Sequence, residues 1–155
     1  SAPSVMTPHP GEASRLLGVT NREINQDRVA AARELASRAG SVVLLKGPGS
    51  VIADSSGRVV INPTGDVSLA TGGTGDVLTG LVASFIAQGL EPFDAAAIAA
   101  YVHGFAVDRI STRSGSAGLL AEELSQAIPP SMKELREAAL LPERHPGFVV
   151  GFPEA

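Results

Sequence analysis

The sequence predicts an α/β fold in which a small sheet is layered between helices. Three observations carry this expectation. The apolar run "VVLL" at 42–45 is bounded by glycines and suits a strand buried on both faces. Helical apolar patterns flank it, at 27–40 and at about 75–88. The order helix, strand, hairpin and then consecutive helices is that of a layered α/β domain.

A chain of 155 residues is long enough for one domain that buries roughly 70% of its unfolded surface. The net charge of −4 argues against a nucleic-acid partner, because phosphate-driven binding needs clustered Lys and Arg. With no cysteine there is no disulfide, thiol catalysis or thiolate metal site. The most apolar run, "AAAIAAYV" at 95–102, is far short of the ~20 residues of a membrane span, and no leader pattern opens the chain. The expectation is a cytoplasmic protein with small-molecule partners, no membrane partner, and assembly as a homo-oligomer. The opening "SAPSVM" reads as the end of a strand running into a loop, as in a piece of a longer protein.

In "PGEASRLLG", Pro10 opens a short helix at 11–17, Glu12 lies in its first turn and Gly18 stops it. Thr20 with Glu23 forms a capping-box pattern, and Asp27 is a competing start for the helix that follows. That helix places Val29, Ala32, Leu35, Ala36 and Ala39 on one face and closes at Gly40. After the buried strand, "SVIAD", "SSG" and "RVVIN" predict a hairpin at 50–61, with Asp54 as a turn residue; Asp66 reads the same way. A loop at 62–74 leads to a helix whose Val77, Leu78, Leu81, Val82, Phe85 and Ile86 form a broad apolar stripe. A longer helix follows over 92–110 with Gly104 as an interior irregularity, then one over 117–127 that "IPP" interrupts. Periodicity is lost after Leu141, which gives one unit over 1–140 and a tail, 141–155, with no assigned role.

The chemistry concentrates in "LATGGTGDVLTG", 69–80. Gly72, Gly73 and Gly75 allow close approach of backbone to a ligand, and N–H groups at a helix start can converge on an anion. Asp76 sits within that field as an ionised carboxylate available as a base. The alternative is a plain helix start with Asp76 as a capping or dipole-pairing acid. A P-loop is excluded because no G-x-x-x-x-G-K-[ST] occurs, and a dinucleotide fingerprint from Gly73 fails at Leu78.

"LLKGPGS" delivers Lys46 at the carboxyl end of a strand, where open α/β sheets bind ligands, although a lysine there is often only solvated. In "TPHPGE", two prolines aim His9, Glu12 and Arg15; a surface turn opening a helix is the simpler alternative. His103 reads as a packed core histidine, and His145 carries no role. No acid or histidine cluster has metal-ligand spacing, so a metal would arrive with a nucleotide's phosphates.

"TPHPGEASRLLG", "LLKGPGSVIADSSGRVVINPTG", "LATGGTGDVLTGLVASFIAQGL" and "AAAIAAYVHGFAVD", in this order, resemble the ADP- or ATP-dependent NAD(P)H-hydrate dehydratases. The likeness runs from about residue 5 to 130. It implies a ribokinase-like layered fold, a parallel-rich central sheet with helices on both faces, of which this chain is the C-terminal half. It also implies nucleotide-dependent dehydration of hydrated NADH or NADPH. The C6 hydroxyl is phosphorylated, and loss of phosphate restores the double bond. By this resemblance Asp76 is the catalytic base and also touches substrate. Lys46, Gly47, Pro48, Gly49, Ser50, Gly72, Gly73, Thr74 and Gly75 bind ADP or ATP with its Mg2+. His9, Glu12 and Arg15 face the hydrated dinucleotide. "GDVS" at 65–68 and "LLAEEL" at 119–124 depart from the family pattern, and no N-terminal half is present to match. Two other readings compete: a vitamin-precursor or sugar kinase of the same superfamily, which "TPHPGE" disfavours, and a non-catalytic nucleotide-binding module.

Overall fold

The computed structural model describes residues 4–140, so the tail at 141–155 lies outside the described residues. Strands β1 (Val5–Met6), β2 (Val42–Leu45), β3 (Val51–Ala53) and β4 (Val59–Ile61) form one sheet in that order. β1 runs parallel to β2, whereas β2–β3 and β3–β4 are antiparallel. The α/β class is as expected, but the parallel majority is not found among these four strands. Short turns join β2 to β3 and β3 to β4, and a short turn can only reverse the chain; a parallel neighbour needs a longer crossover.

The crossover between β1 and β2 is helical: α1 (Pro10–Leu17), α2 (Asn21–Gln26) and α3 (Arg28–Ala39). Both competing starts are used. Thr20 Oγ1 accepts from Glu23 N at 3.2 Å to cap α2, and Asp27 Oδ1 accepts from Ala30 N at 2.8 Å to cap α3. After the hairpin come a 3-10 turn, Val67–Ala70, then α4 (Thr74–Ala87), α5 (Pro92–Ser114) and α6 (Ala121–Ala139).

Alternation along the strands separates two cores. Val43, Leu45, Val51 and Ala53 pack with Ile24, Ala32 and Leu35 beneath α1–α3. Val42, Leu44 and Ile52 pack with Leu78, Val82, Phe85 and Phe93 of α4 and α5. A third cluster, including Val102, Val107, Leu124 and Ile128, joins α5 to α6.

Two expected boundaries move. The helix expected from 117 begins at Ala121, because Leu120 is extended. It also continues through Pro129 and Pro130 rather than breaking. Each interior proline costs about 3 kcal/mol. The apolar stripe of Leu124, Ile128, Met132 and Leu135 spans both sides of the pair and packs into one cluster, and each such side chain buried returns about 1.5–3 kcal/mol.

Loop 62–74 is bound to α5 along its length. Asn62 Nδ2 donates to Ala100 O at 3.1 Å, Thr64 Oγ1 to Tyr101 O at 3.0 Å, and Gly65 N to both oxygens of Asp108 at 3.1 and 3.0 Å. Gly104 stands at the centre of this contact. A Cβ there would lie 2.6 Å from the Thr64 carbonyl oxygen, so the interior irregularity is where a backbone crosses the helix.

Asp54 closes the hairpin turn, as expected. Its Oδ1 accepts from Ser56 N at 2.9 Å and Arg58 N at 3.0 Å, and its Oδ2 accepts from Arg58 Nε at 2.6 Å. The Arg58 guanidinium also lies 4.3 Å from the Phe93 ring centre, tying the turn to α5. Burial opposes ionisation of Asp54, but the hydrogen bonds from Ser56 and Arg58 outweigh it and hold the carboxyl at about 2.

Because that folded value lies below the ordinary one of 3.8, the stabilisation from Asp54 is complete above about pH 4 and is lost as pH falls toward about 2. Urea titrations of Asp54→Asn and the parent sequence are expected to converge over that interval. Gly104→Ala is expected to destabilise the fold by about 1–3 kcal/mol, measured by urea midpoint, through the clash with Thr64.

Candidate active site

Three loops converge where β1 and β2 end: the segment opening α1, the Lys46–Ser50 turn, and the glycine-rich segment opening α4. Lys46 N donates to Pro8 O at 2.8 Å, which joins the first two. Thr7 Oγ1 lies 3.2 Å from Thr79 Oγ1, which joins the first to α4. Lys46 Nζ lies 3.9 Å from Glu12 Oε2 and 3.3 Å from where a Gly75 Cβ would stand. The lysine therefore crosses over the start of α4. Beneath the turn, Arg28 Nη2 donates to the carbonyls of Leu45 and Lys46 at 3.1 and 3.2 Å and fixes the strand's end.

The glycine-rich segment is built as an open donor cluster. Gly73, the residue capping α4, has φ 89°, a conformation only glycine adopts cheaply. Asp76 N and Val77 N turn back to Gly73 O at 3.1 and 3.2 Å, and Thr74 N faces Thr71 O at 3.5 Å. Among the described residues, the N–H groups of Gly72, Gly73 and Gly75 donate to no backbone carbonyl. They are available to an anion. Thr74 is instead buried, and its Oγ1 lies 2.8 Å from both Leu69 O and Thr71 O, so it secures the segment from within.

Asp76 is exposed in the first turn of α4, and no side chain caps that helix. Among the described residues its carboxylate has no hydrogen-bond or ion-pair partner. The capping alternative therefore does not describe it, although its place in the first turn leaves it in the helix field. Gly47, Pro48 and Gly49 are exposed in the turn after β2, and Ser50 Oγ closes that turn by donating to Gly47 O at 3.1 Å.

"TPHPGE" serves as a helix start and as a site wall. His9 Nδ1 accepts from Glu12 N at 3.2 Å, and Glu12 Oε2 accepts from His9 N at 2.7 Å, a reciprocal cap. An open cavity of about 460 Å³ is lined by Met6, Thr7, Pro8, Glu12, Arg15 and Leu16. His9 is exposed at the loop but does not line that cavity. The His9 backbone donor, opposed by partial burial and aided by Lys46, lowers the Glu12 pKa from its ordinary value. A second cavity, about 260 Å³ between α5 and α6, is lined by Arg109, Arg113 and Glu123 among others and by none of these motif residues.

Sequence reasoning passed over three residues. Arg28 lies in no motif, and Thr79 lies within the 69–80 stretch but carries no expected role there. His103 is buried as expected, at 5% exposure, but its Nε2 also lies 2.9 Å from the Thr74 carbonyl oxygen. Among the described residues no group of three His, Asp or Glu side chains could hold a metal, and no helix is long and apolar enough to cross a membrane.

Fold and site together define a ribokinase-like α/β protein. A ribokinase-like superfamily protein from Enterococcus faecalis superposes with a TM-score of 0.70 at 32% identity, covering 84% of this chain and 44% of its own. The chain belongs to the NAD(P)H-hydrate dehydratase family, whose model matches residues 1–130. It is 46% identical over 135 residues to the bifunctional NAD(P)H-hydrate repair enzyme of Moorella thermoacetica, covering 87% of this chain and 26% of that relative. It is 44% identical over 124 residues to the ADP-dependent (S)-NAD(P)H-hydrate dehydratase of Neisseria meningitidis, covering 79% and 42%. The ADP/ATP-dependent NAD(P)H-hydrate dehydratase of Bacillus subtilis, co-crystallised with ATP/Mg2+, superposes with a TM-score of 0.82 at 39% identity, covering 85% and 48%. The chain thus spans less than half the length of each of these four proteins.

The lowered Glu12 pKa has a direct readout. A carbon-13 titration of the Glu12 carboxyl is expected to give a midpoint below 4.5, and Lys46→Met is expected to raise it only part of the way back, since the His9 backbone donor remains.

Proposed function

We propose that this chain is the C-terminal part of one ribokinase-like domain, over 1–140, in a nucleotide-dependent NAD(P)H-hydrate dehydratase. The remaining strands and substrate contacts would come from elsewhere in the same protein. The observation that carries the reading is the meeting of the open N–H groups of Gly72, Gly73 and Gly75 with Lys46 above them and an unpartnered carboxylate, Asp76, beside them. Such a cluster suits a polyanion and a hydroxyl to be deprotonated.

In this reading Lys46 and the Lys46–Ser50 turn seat the phosphates of ADP or ATP. The N–H groups of Gly72, Gly73 and Gly75 stabilise charge on the transferred phosphoryl group, with Thr74 holding them in place. Asp76 takes the proton of the C6 hydroxyl of the hydrated nicotinamide as the hydroxyl oxygen bonds to phosphorus and the phosphorus–nucleotide bond breaks. Departure of phosphate from C6 with loss of the proton on the neighbouring carbon restores the ring double bond. Bound Mg2+ would supply charge neutralisation on the phosphates, and it fits as a passenger of the nucleotide because the described residues offer no cage of their own. Glu12 and Arg15, lining the 460 Å³ cavity, and His9, exposed on the same loop, would face the dinucleotide. A cytoplasmic location, where reduced nicotinamides turn over, and assembly as a homo-oligomer belong to the same reading.

The test uses the full-length protein with hydrated NADH, Mg2+ and either ADP or ATP, following recovery of reduced-nicotinamide absorbance. Recovery is expected with at least one nucleotide. Asp76→Asn is expected to lower turnover by about 10²–10⁴-fold while nucleotide binding holds. Recovery in neither case, with phosphorylation of a sugar or pyrimidine alcohol instead, would replace this reading with the kinase; inertness throughout would leave a binding module. Undiminished turnover in Asp76→Asn would remove the base.

A further inference from the structure

His103 is one of the few polar side chains in the core, and the reaction outlined above gives it no part. Its hydrogen-bond contact among the described residues is specific: Nε2 to the backbone oxygen of Thr74, 2.9 Å away, from α5 to the first residue of α4. A carbonyl oxygen only accepts, so Nε2 carries the proton and donates. Burial favours the neutral imidazole by lowering its pKa, although the Thr74 contact works the other way.

The acceptor matters because of the peptide it belongs to. The Thr74 carbonyl and the Gly75 N–H are two ends of one planar unit, and no peptide among the described residues is cis. In a trans unit the two point in opposite directions. Fixing the carbonyl toward α5 therefore fixes the Gly75 N–H away from α5, and that N–H is one of those with no carbonyl partner, beneath Lys46. Donation to the carbonyl also polarises the amide and strengthens its N–H as a donor. Thr74 is independently held by its Oγ1 contacts to Leu69 O and Thr71 O. Those contacts locate the residue, the start of α4 orients the plane that follows it, and the His103 bond adds a fixed donor at that plane's carbonyl end.

We infer that His103 is a positioning residue of the anion-binding loop, aiming the Gly75 N–H through the Thr74–Gly75 peptide plane. The claim rests on the proposed phosphoryl-transfer reading for its catalytic consequence, but its structural content stands apart from that reading.

Three variants of the full-length protein test it. His103→Leu and His103→Phe remove the donor and keep the site filled, and His103→Gln returns an N–H at comparable reach. With hydrated NADH and the better of ADP or ATP, the Leu and Phe variants are expected to lose about 10- to 100-fold in kcat. Their KM for nucleotide should stay within roughly threefold, and the Gln variant should recover most of the loss. In the nitrogen-15 spectrum the Gly75 amide should move in Leu and Phe and return toward its original position in Gln. A residue that only filled the core would lower the melting temperature without this kcat–KM split and without rescue by Gln. Wild-type kcat in a folded Leu or Phe variant, or an unmoved Gly75 amide, overturns the inference. If the parent protein itself turns over no hydrated NADH, the dehydratase reading fails, and the Gly75 amide alone then decides whether His103 aims that peptide.

Discussion

The passage of loop 62–74 flat against α5 is the contact on which the site depends. It requires a helix face with no side chain at Gly104, acceptors in Ala100 and Tyr101, and the Asp108 carboxylate to receive Gly65 N. With those in place the chain arrives at Gly72 already oriented, and α4 starts where its first N–H groups face outward. A bulkier residue at 104 would lift the loop, and Gly72, Gly73 and Gly75 would be displaced together. The catalytic candidate Asp76 is thus located by a helix that carries none of the motifs proposed to bind nucleotide.

Much of this was legible in the residues. The continuous apolar run "VVLL", the apolar stripe of α4 and the caps at Thr20 and Asp27 are local signals, and the structure follows them. The three motifs also proved to share one place, which spacing alone does not require. Where the reading failed, tertiary packing decided. The prolines at 129 and 130 break an isolated helix, but here Leu124, Ile128, Met132 and Leu135 hold both halves against α5. The antiparallel β3–β4 pair follows the expected hairpin, whereas the reversal between β2 and β3 is set by the Lys46–Ser50 turn and not by strand composition.

The site residues show the same division. Asp76 and the glycines could be named because loop and helix grammar leaves a trace in sequence. His103 could be called buried, but nothing in "AAYVHGFAVD" tells which carbonyl, 29 residues earlier, it would meet. Arg28 is similar, since its bonds to the end of β2 follow from how α3 crosses the sheet. Residues that touch a ligand tend to sit in recognisable motifs, while those that hold the motif in place are scattered by the fold.

The strand β2 has one more consequence. Val43 and Leu45 belong to one core, Val42 and Leu44 to another, and the two clusters share no buried residue. Energetically the sheet is a partition. Cavity-forming changes in well-separated members of the two clusters should come closer to additive than pairs within one cluster, which should couple. The wall that carries Glu12 and Arg15 and the helix that carries Asp76 therefore stand on separately tunable foundations, although a single four-residue strand underlies both.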